Sequence, residues 1–312
     1  MKRPVSAALP PPVRVLLRQF RAQRPLRAGS LLITIFGDAI APRGGAATLS
    51  SLIRLAAPFG LTERLVRTSV ARLAHEGWLV ARRSGRRSEY RLTVRGARRF
   101  REATRRIYAA APRTWNGRWT LLLLPAAGGP RRELRETLRW LGFGQLQPAL
   151  FAHPGCTPRQ ARAWLRGQHV AGAVAVLRGL GGGLAGDRGL AARGWDLGEL
   201  ARSYRRFLRH FGPLEPLLEQ PGLEPRTAFL LRTLLIHEYR KIHLRDPLLP
   251  APLLPPAWVG TAAYQLCRRL YARLFFPAES HLSACARRLT RALPAAQRSS
   301  YARFGGIGTS RR

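Results

Sequence analysis

The stretch TERLVRTSVARLAHEGWLVARRSGRR, residues 62–87, constrains the fold more tightly than any other part of the chain. Thr62 is an N-cap residue type, and Glu63 sits in the electropositive first turn that follows. Val66, Val70 and Leu73 recur at i, i+4 and i+7, which predicts a helix with one buried stripe. Gly77 stops that helix. WLVAR and SEYRLT then flank RSGRR at 83–87, which predicts a short hairpin with a basic tip. Arg64, Arg67, Thr68 and Ala71 point away from the apolar stripe, with Arg72 on its flank.

Upstream, TLSSLIRLAAPFGLT predicts a second helix closed by a tight Pro-Phe-Gly-Leu turn. SLLITIFGDAIAPRGG supplies a first helix and a Gly-rich loop containing Arg43. The order helix, helix, turn, Arg-faced helix, Arg-tipped hairpin is that of a winged helix-turn-helix. Arginine bonds guanine edges bidentately, and Thr and Ser reach bases or phosphates. A basic hairpin tip suits phosphates or the minor groove. The DNA contacts expected are Arg43, Arg64, Arg67, Thr68, Ser69, Arg72, Arg83, Arg86 and Arg87. The plainer alternative is a basic helical domain making protein contacts, and the order of elements argues against it.

Charge alone is weaker testimony. The 312-residue chain carries a formal +38, which puts nucleic acid first among partners. Yet Lys2 and Lys241 are its only lysines, so 52 of its 54 cationic residues are arginine. GC-rich coding sequence produces that skew whatever the function. Cys156, Cys267 and Cys285 form neither a CxxC nor a disulfide framework, so a reducing cytoplasm is expected. The start, MKRPVSAALPPPVRVLLRQF, lacks a signal-peptide core. No run approaches the ~18 apolar residues of a membrane span, so no membrane partner is expected.

Four segments follow from composition. Residues 1–25 read as a loose Pro-rich tail, 26–112 as the winged helix-turn-helix, 113–188 as an α/β domain and 189–312 as a helical domain. In the third, WNGRWTLLLLP reads as a buried strand and RRELRETLRWLGFG as an amphipathic helix ending at Gly142. GQLQPALFAHP reads as a second strand, TPRQARAWLRG as a helix capped by Thr157, and HVAGAVAVLRG as a third strand. GLGGGLAGDRG reads as a linker or long loop. In the fourth, helical periodicity marks DLGELARSYRRFLRHFG, EPRTAFLLRTLLIHEYRKIHLRDP and VGTAAYQLCRRLYARLFF. PLLPAPLLPPAW cannot be helical, and the chain beyond about Pro294 reads as frayed.

Enzyme-like constellations do not form. HEYRK at 237–241 has Lys241 where HExxH needs its second His. His237, His243, Asp246, Glu279 and His281 would cluster only if the C-terminal helices packed face to face, and helix-packing hydrogen bonds are the plainer role. GLGGGLAGDRG lacks the Lys-Ser/Thr of a phosphate loop. There is no nucleophile–base motif, and neither catalysis, a metal nor a cofactor is expected.

GSLLITIFGDAIAPRGGAATLSSLIRLAAPFGLTERLVRTSVARLAHEGWLVARRSGRRSEYRLTVRGARRF resembles the N-terminal domain of the PaaX family, repressors of phenylacetate-catabolism operons. RTWNGRW, LRWLGFGQLQPALFAHP and LLIHEYRKIHLRDPLLPAPLLPPAWVG resemble its central and C-terminal segments, so the likeness covers nearly the whole chain. The resemblance implies an α+β multidomain fold. It comprises an N-terminal winged helix-turn-helix, a central ferredoxin-like, Cas2-like α/β domain and a C-terminal all-α domain. It also implies a homodimer on double-stranded operator DNA, released by an aromatic acyl-CoA, usually phenylacetyl-CoA. Cas2-type nucleases place an acid at the end of the first strand. RWTLLLLP has none, so the central domain reads as a spacer or dimerisation element. An acyl-CoA site needs cations and aromatic walls, for which His237, Arg240, Lys241, Arg245 and Trp258 are the candidates. Two alternatives stand: a non-specific nucleic-acid-binding protein, and a winged-helix regulator answering a different acyl-CoA.

Overall fold

The computed structural model describes residues 9–23, 27–112, 114–125, 132–167 and 174–307. They form a mixed α+β chain with two small sheets, and by packing they divide into two compact units. The first unit takes residues 1–109, 207–240 and 265–312, and the second takes 110–206 and 241–264.

The first unit opens with α1 (Pro11–Ala22), which starts on two prolines and buries Val13, Leu16, Leu17 and Phe20. The loose tail expected over 1–25 is therefore corrected for 11–22. Proline at the first helical positions is compatible with a helix start, and a four-residue apolar stripe anchors the rest. Next come α2 (Ala28–Thr34), a π-helical turn (Ile35–Ile40) and β1 (Ala46–Thr48). α3 (Leu49–Ala56) ends in a 3₁₀ turn (Ala57–Phe59) closed by Gly60 at φ 85°, a backbone conformation that strains any residue with a Cβ. α4 (Glu63–His75) follows, then β2 (Leu79–Ser84), β3 (Arg87–Leu92) and α5 (Val94–Ile107). The sheet order is β1-β3-β2, antiparallel throughout.

The second unit carries β4 (Arg118–Leu123), α6 (Arg132–Trp140), β5 (Gly144–Gln147), β6 (Leu150–His153), α7 (Pro158–Gly167) and β7 (Ala175–Leu180). Its sheet order, β5-β6-β4-β7, is that of a split βαβ, ferredoxin-like arrangement. GQLQPALFAHP, expected as one strand, is two, because Pro148 removes a ladder donor and the chain turns there. The third strand expected from HVAGAVAVLRG begins at Ala175, and its first part lies outside the described residues. β4 alternates as a strand buried on both faces must. Leu122 packs with Leu138, Phe151 and Leu165 on one side, and Trp119 with Ala152, Ala191 and Leu253 on the other.

The Gly-rich linker expected next is largely α8 (Leu184–Gly194). Its glycines oppose helix by up to ~1 kcal/mol each, but two buried anchors override them. Asp187 accepts a hydrogen bond from Trp119 Nε1 at 2.8 Å, and Ala191 is fully buried. α9 (Leu197–Phe211), α10 (Glu215–Glu219), α11 (Pro225–His243) and α12 (Val259–Cys285) complete the helices. The proline-rich 247–258 holds only a 3₁₀ turn (Ala251–Leu253). The chain beyond Pro294 is not frayed: Ser300, Arg303, Phe304 and Ile307 are buried.

Candidate nucleic-acid interface

α4 begins where Thr62 Oγ1 accepts from Leu65 N, at 3.3 Å. Its stripe of Val66, Val70 and Leu73 is buried, which turns Arg64, Arg67, Thr68, Ala71 and Arg72 outward and leaves Ser69 half-buried. Arg67 donates to Glu63 Oε1 from Nε and Nη2, at 2.8 and 2.6 Å, and Arg72 Nε donates to Glu76 at 3.0 Å. The side chains of Arg67 and Glu63 are each more than half exposed, at 56% and 57%. Such pairs contribute about 0.3–0.5 kcal/mol, so a stronger anion displaces them easily. Thr68 Oγ1 donates to Arg64 O at 3.0 Å and keeps its acceptor capacity.

The hairpin is tight. Ser84 pairs with Arg87, leaving Gly85 and Arg86 as a two-residue loop with Gly85 at φ 54°, the first loop position, where a primed turn needs a positive φ. Beyond Leu79 every residue of β2 is exposed, so the arm stands clear of the core. Arg83, Arg86 and Arg87 are exposed on it, as expected, and Arg82 joins them. Arg82 lies just before the RSGRR tip, and its exposure follows from the arm standing clear of the core. At the base of the arm, Glu89 is only 2% exposed. Burial raises its carboxyl pKa, but the Leu289 amide and the Arg91 and Arg288 guanidiniums more than offset that and hold it below its usual range.

Arg43, expected with these residues, is not among them. It is 2% exposed, donates to Pro294 O at 2.6 Å and pairs with Glu279. Its Gly-rich loop has no such neighbour in sequence, so only the fold reveals the contact. Glu279 also binds Arg232 at 2.8 Å, and Arg232 Nε lies 2.9 Å from Asp38 Oδ2. Asp38 Oδ1 further accepts from Tyr108 OH, Tyr271 OH and Arg303 Nη1, at 2.6, 2.8 and 2.9 Å. Burial pushes the Asp38 carboxyl up, and Arg232, Arg303 and the two phenols bring it below its ordinary value. Burial raises the pKa values of Tyr108 and Tyr271 despite the neighbouring Arg303, so both phenols stay protonated as donors to Asp38. No spacing rule would have found this network, because its members lie up to 265 residues apart.

The effector candidates divide. His237 is buried, its Nδ1 3.0 Å from Thr34 Oγ1 and its ring edge-on to Phe20. Arg240 donates to Ser30 O, Ser30 Oγ and Thr34 Oγ1, each at 2.7 Å, and burial lowers its pKa to about 10. Both serve packing of the first unit, which corrects their assignment to a ligand site. Lys241, Arg245 and Trp258 belong to the second unit. There Arg245 is exposed and pairs with Glu199 at 2.8 Å, and Trp258 packs edge-on against Tyr204. The His/Asp/Glu cluster does not assemble. His243 Nδ1 and Asp246 share Tyr204 OH at 2.9 and 2.7 Å, Glu279 binds arginines, and His281 meets Cys285 Sγ at 3.3 Å. No group of three potential metal ligands occurs among the described residues, and none of the described helices is long and apolar enough to cross a membrane.

Three family descriptions match the chain in succession. They are PaaX-like protein over 27–96, PaaX protein central Cas2-like domain over 112–191, and PaaX-like protein C-terminal domain over 195–284. Transcriptional repressor PaaX of Escherichia coli (strain K12) is 37% identical over 289 residues, covering 91% of this chain and 92% of that protein. A solved structure of an uncharacterized protein from Mycobacterium tuberculosis shares 25% identity at a TM-score of 0.47, covering 74% of this chain and 91% of its own. The family descriptions and the Escherichia coli repressor place the chain in a family of regulators rather than enzymes. It belongs to the PaaX family, as the resemblance in its sequence implied.

Proposed function

We propose that this chain is a cytoplasmic transcriptional repressor of a phenylacetate-catabolism operon, bound to operator DNA through a winged helix-turn-helix and released by an aromatic acyl-CoA. One observation carries the reading. α4 turns Arg64, Arg67, Thr68 and Arg72 to solvent on the side opposite its buried stripe, and the hairpin that follows exposes Arg82, Arg83, Arg86 and Arg87. α4, with Ser69 at its margin, enters the major groove and reads bases, while the hairpin tip grips phosphates. Residues 26–112 hold the reader and 113–188 a spacer through which two copies pair, while the helices of 189–312 are shared between the two units. A homodimer sets two α4 helices one helical turn, about 34 Å, or a multiple apart.

The effector acts only through unequal affinity for the operator-bound and released states. Lys241, Arg245 and Trp258 remain its candidate contacts, since the Arg245–Glu199 pair is exposed and exchangeable. Footprinting the upstream region of the chain's own operon, with and without phenylacetyl-CoA, tests the reading. Protection lost on adding the acyl-CoA supports it, and protection unchanged at saturation removes the effector while leaving the repressor. The +38 charge favours a second reading, non-specific binding. Competition between that upstream region and random DNA separates the two, because charge-driven binding shows no sequence preference and falls steeply with salt.

A further inference from the structure

We infer that α1 is a third DNA-contacting element, placing Arg14 and Arg18 on phosphates beside those reached by α4. The inference rests on the DNA-reading role proposed above and extends it. α1 contains no acidic residue, and its buried side is taken up by Val13, Leu16, Leu17 and Phe20. Arg14 and Arg18 are exposed, and neither has an acidic partner among the described residues. Arg21, one step further along the same face, is tied down: its Nη2 donates to Pro58 O at 2.9 Å. Phe20 packs edge-on against Phe59 with ring centroids 6.1 Å apart. Pro58 and Phe59 belong to the 3₁₀ turn that leads through Gly60 into the Thr62 cap of α4. The end of α1 is therefore fastened to the turn that aims the reading helix.

The face has a shape as well as a charge. Leu9, Arg14, Leu17, Arg18, Arg21 and Ala22 border an open groove of about 660 Å³. Positions 14, 18 and 21 stand at i, i+4 and i+7, spanning about 10 Å of helix at 1.5 Å per residue. Arg14 and Arg18 are about 6 Å apart along that axis, which suits two neighbouring phosphates of one strand. A guanidinium fork matches a phosphate's paired oxygens. Helix-dipole capping accounts for Arg21 in the last turn but not for Arg14 or Arg18 further back. An acidic polypeptide is the other polyanion that fits the charge, but the tie to the α4 turn favours DNA.

The test uses the full-length protein, binding measured by fluorescence anisotropy across a potassium chloride series, with operator and random duplexes. Arg14→Gln/Arg18→Gln is compared with wild type and with Arg268→Gln/Arg273→Gln, which removes the same charge from exposed positions of α12. Thermal melts confirm that each variant folds. The α1 variant is expected to bind both duplexes at least tenfold more weakly at 0.1 M salt, with its log–log salt slope reduced by about 1.8, two phosphate contacts at 0.9 each. The ratio of operator to random affinity is expected to hold. A slope equal to wild type, or an equal loss in the α12 control, overturns the inference. So does binding of polyglutamate that the α1 variant loses while its DNA binding is intact. If Arg86→Ala weakens DNA binding and the α1 variant does not, the α1 role alone falls. If wild type binds neither duplex, the DNA reading falls with it.

Discussion

Two arginine-rich regions of the first unit use the same side chain in opposite ways. Around Asp38, Arg232 and Arg303 are buried, their charges are answered by Asp38 and Glu279, and Arg303 also donates to the Tyr271 hydroxyl. On α4 and the hairpin, Arg64, Arg67, Arg83, Arg86 and Arg87 are exposed and are balanced, where they are balanced at all, by an exposed glutamate one turn away. A buried guanidinium without its partner is strongly destabilising, whereas an exposed one is indifferent to the loss. The first region therefore holds structure, and the second is free to bind.

The largest effect that would break this contrast lies at the buried site. Asp38→Ala leaves Arg303 without a carboxylate and Arg232 with Glu279 alone, and should cost about 3–5 kcal/mol, read from the urea unfolding midpoint. A loss below ~1 kcal/mol would show that the network is not holding the unit together. The pH dependence follows from the same residue. The Asp38 carboxyl is depressed in the folded state, so its contribution is present above its unfolded value near 3.9 and lost as pH falls through the lower, folded value. Wild type should lose melting temperature across that acid window, and Asp38→Asn, already weakened at neutral pH, should lose less.

The exposed region should respond in binding instead. Arg67→Ala is expected to leave stability within about 0.5 kcal/mol and to lower discrimination between operator and random DNA by about 1–3 kcal/mol. Arg86→Ala should weaken both duplexes alike and reduce the salt slope by about 0.9. Equal effects of the two substitutions on both duplexes would show that the helix and hairpin do not divide reading from gripping. The smallest change is Glu63→Gln. It releases Arg67 from its pair and should alter melting by no more than ~0.5 kcal/mol, while leaving operator binding equal or slightly tighter.

Much of the interface was legible because it is local. Thr62, the Val66–Val70–Leu73 stripe and Gly77 lie within one helix, and a helix periodicity places Arg64 and Arg67 on its outer face without further information. The hairpin was equally local, with Gly85 supplying its turn. Arg43 shows where that reasoning stops. Nothing near it in sequence distinguishes it from Arg83, and its burial against Glu279 and Pro294 depends on chain more than 230 residues away. Arg240 and His237 failed as ligand candidates for the same reason: Ser30 and Thr34 meet them across some 200 positions.

The sequence by itself determined the elements whose signals are periodic or punctuated: α4, the turn before it, the hairpin and the apolar strand at 118–123. It also carried the family, through long stretches of resemblance. Tertiary structure alone decided which charges are spent on packing, turned the glycine-rich 184–194 into a helix on Trp119, and buried Arg303 at the end of the chain. The physical reason is one of range. Helix and strand periodicity act over a few residues, whereas the desolvation of a charge depends on everything packed around it.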